Sequence, residues 1–223
     1  MEEVVRKIDR RKERTQALLR DALMELIVEK GYDAVSIQDI VDRANVARTT
    51  FYLHYKDKDE LLFESMTAIY DELASNWEPV MRRQLEENPA HPTLLDSSDY
   101  EHVARFAPFY RVMFSDKGSA GFIMRVLQYL TSLAHNKCVA YLTDSGKNTV
   151  LPISLIAQAM AGMQMSLLLW WLENDMPYTP QEMARMSYYL VMPSLFKGIG
   201  MGIDIPDDVI PDDLREKIQL IPT

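Results

Sequence analysis

The sequence predicts an all-α fold, with three short helices at the N-terminal side followed by a larger helical body. Three observations carry this. Apolar residues recur at intervals of three and four almost throughout, the period of a helix with one buried face. Runs of alternating β-branched residues, the mark of a half-buried strand, are missing. Of the 223 residues, 48% are hydrophobic and 26% charged, the balance of a chain that buries a core rather than staying disordered.

The first helix is expected at about residues 12–30, with Ala17, Leu18, Ala22, Leu23, Leu26 and Ile27 as its buried stripe. Gly31 can end it, because glycine takes the positive φ of that position without penalty. A second helix covers about 36–44. Ser36 can cap its first turn while Asp39 reaches back, an acidic variant of the capping box. Ile37, Ile40, Val41 and Ala44 form its inner face. Asn45 ends it, since asparagine tolerates left-handed backbone. A third helix, about 47–55, is followed by a long one from Asp57 that Pro79 is expected to kink or end. Residues 87–98, ENPAHPTLLDSS, have no apolar period and read as a linker. Further helices are expected at about 99–115, 119–142, 152–173 and 180–197. The last has the clearest start: Thr179 at the N-cap, Pro180 at N1, Glu182 at N3. Gly198 closes it. From Ile203, the prolines Pro206, Pro211 and Pro222 and five aspartates suggest an extended tail with at most one helical turn near Leu214. The expected domains are 1–56, 57–202 and a tail, 203–223.

A net charge of −9 argues at first sight against a polyanionic partner. The single cysteine, Cys138, rules out an intrachain disulfide and fits a reducing compartment. Its plainest role is that of a small buried hydrophobe. The charged start, MEEVVRKIDRRKER, has no apolar h-region, so no secretory signal is expected. Residues 150–172, VLPISLIAQAMAGMQMSLLLWWL, carry no charge and are long enough to span a bilayer. They include Ser154, Gln158, Gln164 and Ser166 and lack a basic flank. A helix central to a bundle, or an oligomer seam, is therefore expected, with no membrane partner. Enzymatic chemistry finds no support. His54, His91, His102 and His135 show no metal-ligand spacing. Gly198-Ile-Gly-Met-Gly follows a helix rather than a strand, so it is no dinucleotide loop. No catalytic residue, metal or cofactor is expected.

Residues 45–58, NVARTTFYLHYKDK, mix threonines, aromatics and cations. Two helices joined through Ala44-Asn45-Val46-Ala47 make a helix-turn-helix, provided the second shows two faces. Phe51 and Tyr55, four apart, point the same way. Thr49, Thr50, Tyr52 and Leu53 take the opposite arc, with Arg48 at the N-terminal end. A braced back and a hydrogen-bonding, amphipathic front are what a recognition helix presents to a DNA major groove. Threonine hydroxyls can meet base edges or phosphates, methyl groups and Leu53 can meet thymine methyls, and Arg48 can meet guanine O6 and N7. Tyr52 offers a hydroxyl at phosphate height. Lys56 and Lys58 follow where the chain would cross the DNA backbone, Lys58 beside the N-terminus of the long helix. Charge by position removes the acidic objection. Residues 1–62 hold 12 Lys+Arg and 13 Asp+Glu, net −1; subtraction from totals of 24 and 33 leaves 12 and 20 for residues 63–223, net −8. Arg43, Arg48, Lys56 and Lys58 face only Asp57 within 43–58, and the arm 6–14 adds six cations against Asp9 and Glu13. The plainer readings are a packing aromatic for Tyr52, a solvated helix end for His54, and ordinary surface charge for the two lysines.

The stretch GYDAVSIQDIVDRANVARTTFYLHYKDKDELL resembles the DNA-binding segment of the TetR family of one-component transcriptional regulators, through Gly31, Tyr32, Ser36, Ile40, Ala44, Val46, Thr50, Phe51, Tyr52, Tyr55, Lys58 and Leu61. Asn45 stands where the family has a turn glycine. Ala47 stands where it has serine, so the recognition helix lacks its side-chain cap, a loss of ~1 kcal/mol. The resemblance implies a base or phosphate contact for Thr50, phosphate contacts for Tyr52, His54 and Lys58, and a further contact from Gln38. The expected DNA-binding set is thus Gln38, Arg48, Thr49, Thr50, Tyr52, Leu53, His54, Lys56 and Lys58.

RFAPFYRVMFSDKGSAGF and LLLWWLENDMPYTPQEMA resemble the family's ligand and dimerisation domain. The resemblance implies a cytoplasmic repressor that binds double-stranded, palindromic operator DNA. It also implies a homodimer through helices about 152–173 and 180–197. Ala157, Ala161 and Gly162 there are small enough for close helix approach. A small, largely apolar effector would release the DNA. Its pocket is expected among Phe106, Phe109, Tyr110, Met113, Phe122, Met163 and Trp170, since aromatic and methionine side chains suit a broad apolar ligand; for any one of them plain core is the simpler role. The rival reading is a helical ligand-binding or adaptor protein without DNA-binding activity.

Overall fold

Local sequence signals set several of the helix ends. In the computed structural model, which describes residues 2–87, 96–139, 150–198, 211–214 and 216, the regular structure is all helical. The elements are α1 (Glu2–Lys30), α2 (Ile37–Ala44), α3 (Arg48–Tyr52), α4 (Lys58–Glu87), α5 (Ser98–Arg105), α6 (Ala107–Met113), α7 (Ala120–Leu133), α8 (Ile153–Glu173) and α9 (Pro180–Gly198). A π-helical turn, Ala134–Val139, extends α7. Gly31 ends α1 at φ +81°, and Asn45 ends α2 at φ 53°, ψ 49°. Ser36 and Asp39 form the expected capping box on α2. Thr179 and Glu182 exchange the same pair of bonds at the start of α9, at 2.7 and 3.2 Å.

The chain divides into two compact units, Met1–Ile69 with Ala107–Val126, and Tyr70–Phe106 with Leu127–Thr223. In the first, α1 packs on α2 and on α6. Leu19, Leu23, Ile27, Ile40, Phe51 and Leu61 are fully buried there, each worth roughly 1.5–3 kcal/mol against exposure. Gly31 is needed on two counts. Its φ is unfavourable for other residues, and a Cβ there would lie 3.2 Å from the Lys117 Cβ. The next N–H, of Tyr32, donates to the Lys117 carbonyl at 3.0 Å. In the second unit α9 packs on α8 and α5. Trp171 anchors it, edge-on to Tyr100 at 5.4 Å between centroids, with its indole N–H donating to the Tyr178 carbonyl at 2.9 Å.

Several expectations need correction. The helix of residues 12–30 begins at Glu2; the charged arm is rich in Glu, Lys and Arg, all good helix formers. Its stripe uses Leu19 instead of Leu18, which is 41% exposed. The third helix spans only five residues. Helix α4 runs through Pro79 to Glu87; the residues that follow, Met81 to Glu86, are good helix formers that carry it on. The helix expected over 99–115 is two. Pro108 falls in the first turn of α6, where its missing N–H is harmless, and the break comes at Phe106. The N-terminal unit is not a contiguous 1–56, since it takes in residues up to Ile69 and then Ala107–Val126. Most of the linker, and the tail apart from residues 211–214 and 216, lie outside the described residues; Leu214 falls in a short helical stretch and is buried. Helix α8 is long and apolar enough to cross a membrane by length and composition. Its inner residues Ile156, Ala157, Ala161 and Leu172 are buried, while Leu155, Met163 and Trp170 are exposed.

Candidate nucleic-acid interface

The turn into α3 follows from two backbone choices. Asn45 reverses the chain in left-handed conformation, and Ala47 enters α3 at φ −69°, ψ 145° without a side-chain cap bond. Phe51 is fully buried and Tyr55 nearly so, their rings 5.9 Å apart. These two rings brace α3 from behind. In front, Arg48 and Thr49 are exposed, Tyr52 is 49% exposed and Leu53 82%. An Arg48 Nη2–H donates to the Tyr52 hydroxyl at 3.3 Å, with the guanidinium 5.8 Å from the ring centroid. Thr50 is half-buried at the edge of this face. The expected two-faced helix is therefore present.

The remaining expected contacts divide. Gln38 is exposed on α2 and its amide donates to Asp42 at 2.8 Å. Lys56 is exposed, its ammonium 3.9 Å from Glu60. His54 is half-buried, and its Nδ1 is shielded without a hydrogen-bond partner. Lys58 departs from expectation. Its ammonium donates to the carbonyls of Tyr32 and Val35, both at 2.9 Å, and lies 4.4 Å from the centroid of the Tyr32 ring. It ties the start of α4 to the α1–α2 connection, and a phosphate would have to compete with those carbonyls. The Tyr32 hydroxyl in turn donates to Asp59. Arg43, counted above in the positive footprint, is held in a fork by Glu29 at 2.8 Å and by Glu25 at 3.1 Å. Among the described side chains, the cations left around the exposed face of the motif are Arg48 and Lys56. Arg11, Lys12 and Arg14 are exposed on α1; the side chains of Arg6, Lys7 and Arg10 lie outside the described residues.

The second unit holds a cavity of about 260 Å³. Leu73, Leu130, Leu133, Met160 and Val191 give it apolar walls, and Asp96, Asp99, Tyr100, Gln164 and Ser187 a polar end. None of the seven residues expected to form the pocket lines it. Phe109, Tyr110 and Met113 are core of the first unit, where α6 packs on α1; Phe122, half-buried, also belongs to that unit. Phe106 is half-buried beside His102, and Met163 and Trp170 lie on the exposed side of α8. Large apolar side chains mark core wherever they fall, so they could not single out a cavity. Gln164, one of two amides in an uncharged run, carried the better signal. It donates to Asp99 at 2.5 Å and accepts from Ser187 at 2.8 Å. Burial pushes the Asp99 carboxyl up to about 6, with a further push from Asp96, against the pull of the Tyr100 N–H and the Gln164 amide.

An all-helical chain with this two-faced motif is a helix-turn-helix protein of the regulator class. A sequence profile for bacterial regulatory proteins of the tetR family matches residues 19–65, and one for a transcriptional regulator C-terminal region matches residues 100–192. The chain belongs to the TetR family, a family of transcriptional regulators and not of enzymes. It is 43% identical over 58 residues to the HTH-type transcriptional regulator YxbF of Bacillus subtilis strain 168, covering 26% of this chain and 15% of that one. Matches of this kind span between 15% and 23% of the length of three such curated relatives. The HTH-type transcriptional activator FasR of Mycolicibacterium smegmatis is 21% identical over 172 residues, 77% of each chain. Among solved structures, Thermus thermophilus FadR, a TetR-family repressor in complex with lauroyl-CoA, superposes with a TM-score of 0.53 at 17% identity, covering 86% of this chain and 97% of that one. At that identity the likeness shows the fold alone.

Proposed function

We propose that this chain is a ligand-responsive transcriptional regulator of the cytoplasm. It binds a palindromic operator as a homodimer and leaves it when a small effector occupies the body. The observation that carries this is the bare front of α3, with Arg48, Thr49, Tyr52 and Leu53 facing solvent while Phe51 and Tyr55 brace the back. A solvated surface helix gains nothing from exposing Leu53 and Tyr52 together, whereas a major groove meets both with thymine methyls and phosphates. The dimer is supported by apolar side chains left exposed on α8 and α9: Leu155, Met163, Trp170, Tyr189 and Leu190. Two-fold symmetry would set the α3 helices about 34–36 Å apart, one turn of DNA. The cavity supports an effector. Repression is the direction assigned here. FasR is an activator and FadR a repressor, so relatives act in both directions.

Fluorescence anisotropy with bulk duplex DNA across a salt series tests the reading. Binding should weaken steeply with salt, by a slope of about −0.9 per phosphate neutralised. Lys56→Ala should lower that slope by about one, and Tyr52→Phe should weaken binding to a site selected from random duplexes. An affinity indifferent to salt, or unmoved by either change, would make the chain a helical ligand-binding or adaptor protein.

A further inference from the structure

The cavity of the second unit has an electrostatic character that its apolar walls conceal. Its described lining holds two carboxylates, Asp96 and Asp99, and no Lys, Arg or His. The Asp99 carboxylate accepts from the Gln164 amide at 2.5 Å and from the Tyr100 N–H at 2.8 Å, and Asp96 accepts from the Ser98 N–H at 2.9 Å. These are neutral donors, and a carboxylate withdrawn from water without a cation is costly. Next to it is a second unmet group. The Tyr100 side chain is 1% exposed, and its hydroxyl makes no hydrogen bond of good geometry; Ser187 and Gln164 lie close enough to pull its pKa down but are bonded to each other. Buried polar groups are almost always satisfied by protein, water or ligand.

We infer that this cavity selects an amphipathic cation, an ammonium group on a short apolar body, with the ammonium donating to the Asp99 carboxylate and the Tyr100 phenol oxygen and the body against Leu73, Leu130, Leu133 and Met160. The inference rests on reading the cavity as the effector site, and it names the class of effector. An ammonium has three donors and no acceptor. It answers the missing positive charge and the idle phenol oxygen together. A carboxylate headgroup, such as that of a fatty acid, would enter beside two like charges with no cation in the described lining to receive it. A neutral alcohol would gain the walls but not the charge.

Calorimetric titration of the full chain with n-octylammonium, n-octanol and n-octanoate decides this. At about pH 7.5, where the Asp99 carboxyl is ionised, octylammonium should bind about tenfold or more tighter than octanol, with octanoate weakest. Asp99→Asn should remove the advantage of the ammonium and leave octanol unchanged, and Tyr100→Phe should reduce that advantage. Lowering the pH to about 5 should imitate Asp99→Asn, because the carboxyl titrates near 6. The other titratable lining groups are Asp96 and the phenols of Tyr70, Tyr100 and Tyr188; α7 and α8 contribute no charged side chain to the described lining. If circular dichroism shows a variant unfolded, the ranking of the three probes on the wild-type chain still decides. Octanoate or octanol binding as tightly as octylammonium, or no binding of any probe, overturns the inference. A chain that binds duplex DNA with a steep salt slope yet prefers octanoate loses only this inference. One that ranks the ammonium first but ignores DNA loses the regulator reading and keeps the cavity chemistry.

Discussion

Lysine 58 shows how one side chain can be legible by type and not by role. The sequence places a cation beside a helix start, where phosphate is a natural partner. The structure spends its donors on the Tyr32 and Val35 carbonyls. Backbone carbonyls leave no trace in side-chain pattern, so nothing in residues 32–35 announced them. Lys58→Ala should therefore lower the thermal midpoint as well as DNA affinity, by an amount equivalent to about 1–2 kcal/mol, measured by circular dichroism melting beside anisotropy. Loss of DNA affinity at an unchanged midpoint would return Lys58 to the role of a plain phosphate contact. Phe51 and Tyr55 were legible because two aromatics four apart share one buried side, even with Tyr55 just past the end of α3, its N–H donating to the Phe51 carbonyl at 2.9 Å. Asp99 and Tyr100 were not, since their value lies in what surrounds them: Gln164 from 65 positions along the chain and Ser187 from α9.

At the scale of elements, helix ends were easier to read than helix lengths. Ser36, Asn45, Thr179 and Gly31 act within one turn, so their chemistry is written next to them. Pro79 and Pro108 are the instructive pair. Pro108 sits in a first turn and separates α5 from α6, whereas Pro79 lies inside α4 without ending it; residue type alone does not distinguish these outcomes. A weak joint is the entry to α3, where Ala47 offers no side-chain acceptor. Its extended backbone already suits a capping hydroxyl. Ala47→Ser should stabilise the protein by about 0.5–1 kcal/mol, visible as a raised midpoint in chemical denaturation at constant m-value. A lowered midpoint would mean that the backbone of the turn cannot accept the bond.

At the scale of the molecule, the all-helical architecture followed from periodicity, but the grouping of helices did not. Helix α6 belongs with α1 because Phe109, Tyr110 and Met113 are buried in that unit, and its distance along the chain hides this. Exposed apolar residues on α8 are likewise invisible to a pattern that is apolar all round. For the proposed dimer, Leu190→Glu should leave a monomer in sedimentation velocity and weaken DNA binding by at least the avidity of the second half-site, about 10²-fold or more. A variant that stays dimeric would move the interface elsewhere.

The hydrogen bond from Tyr32 to Lys117 has a practical reach. Anyone building a hybrid sensor by transplanting the DNA reader onto a foreign body would cut near residue 56 or 69. Such a graft would discard the strip from Ala107 to Val126, strip α1 of its α6 cover and leave the Tyr32 amide without its acceptor. The transplantable module is a discontinuous one, and a host body must supply its own stand-in for that strip before the graft can be soluble.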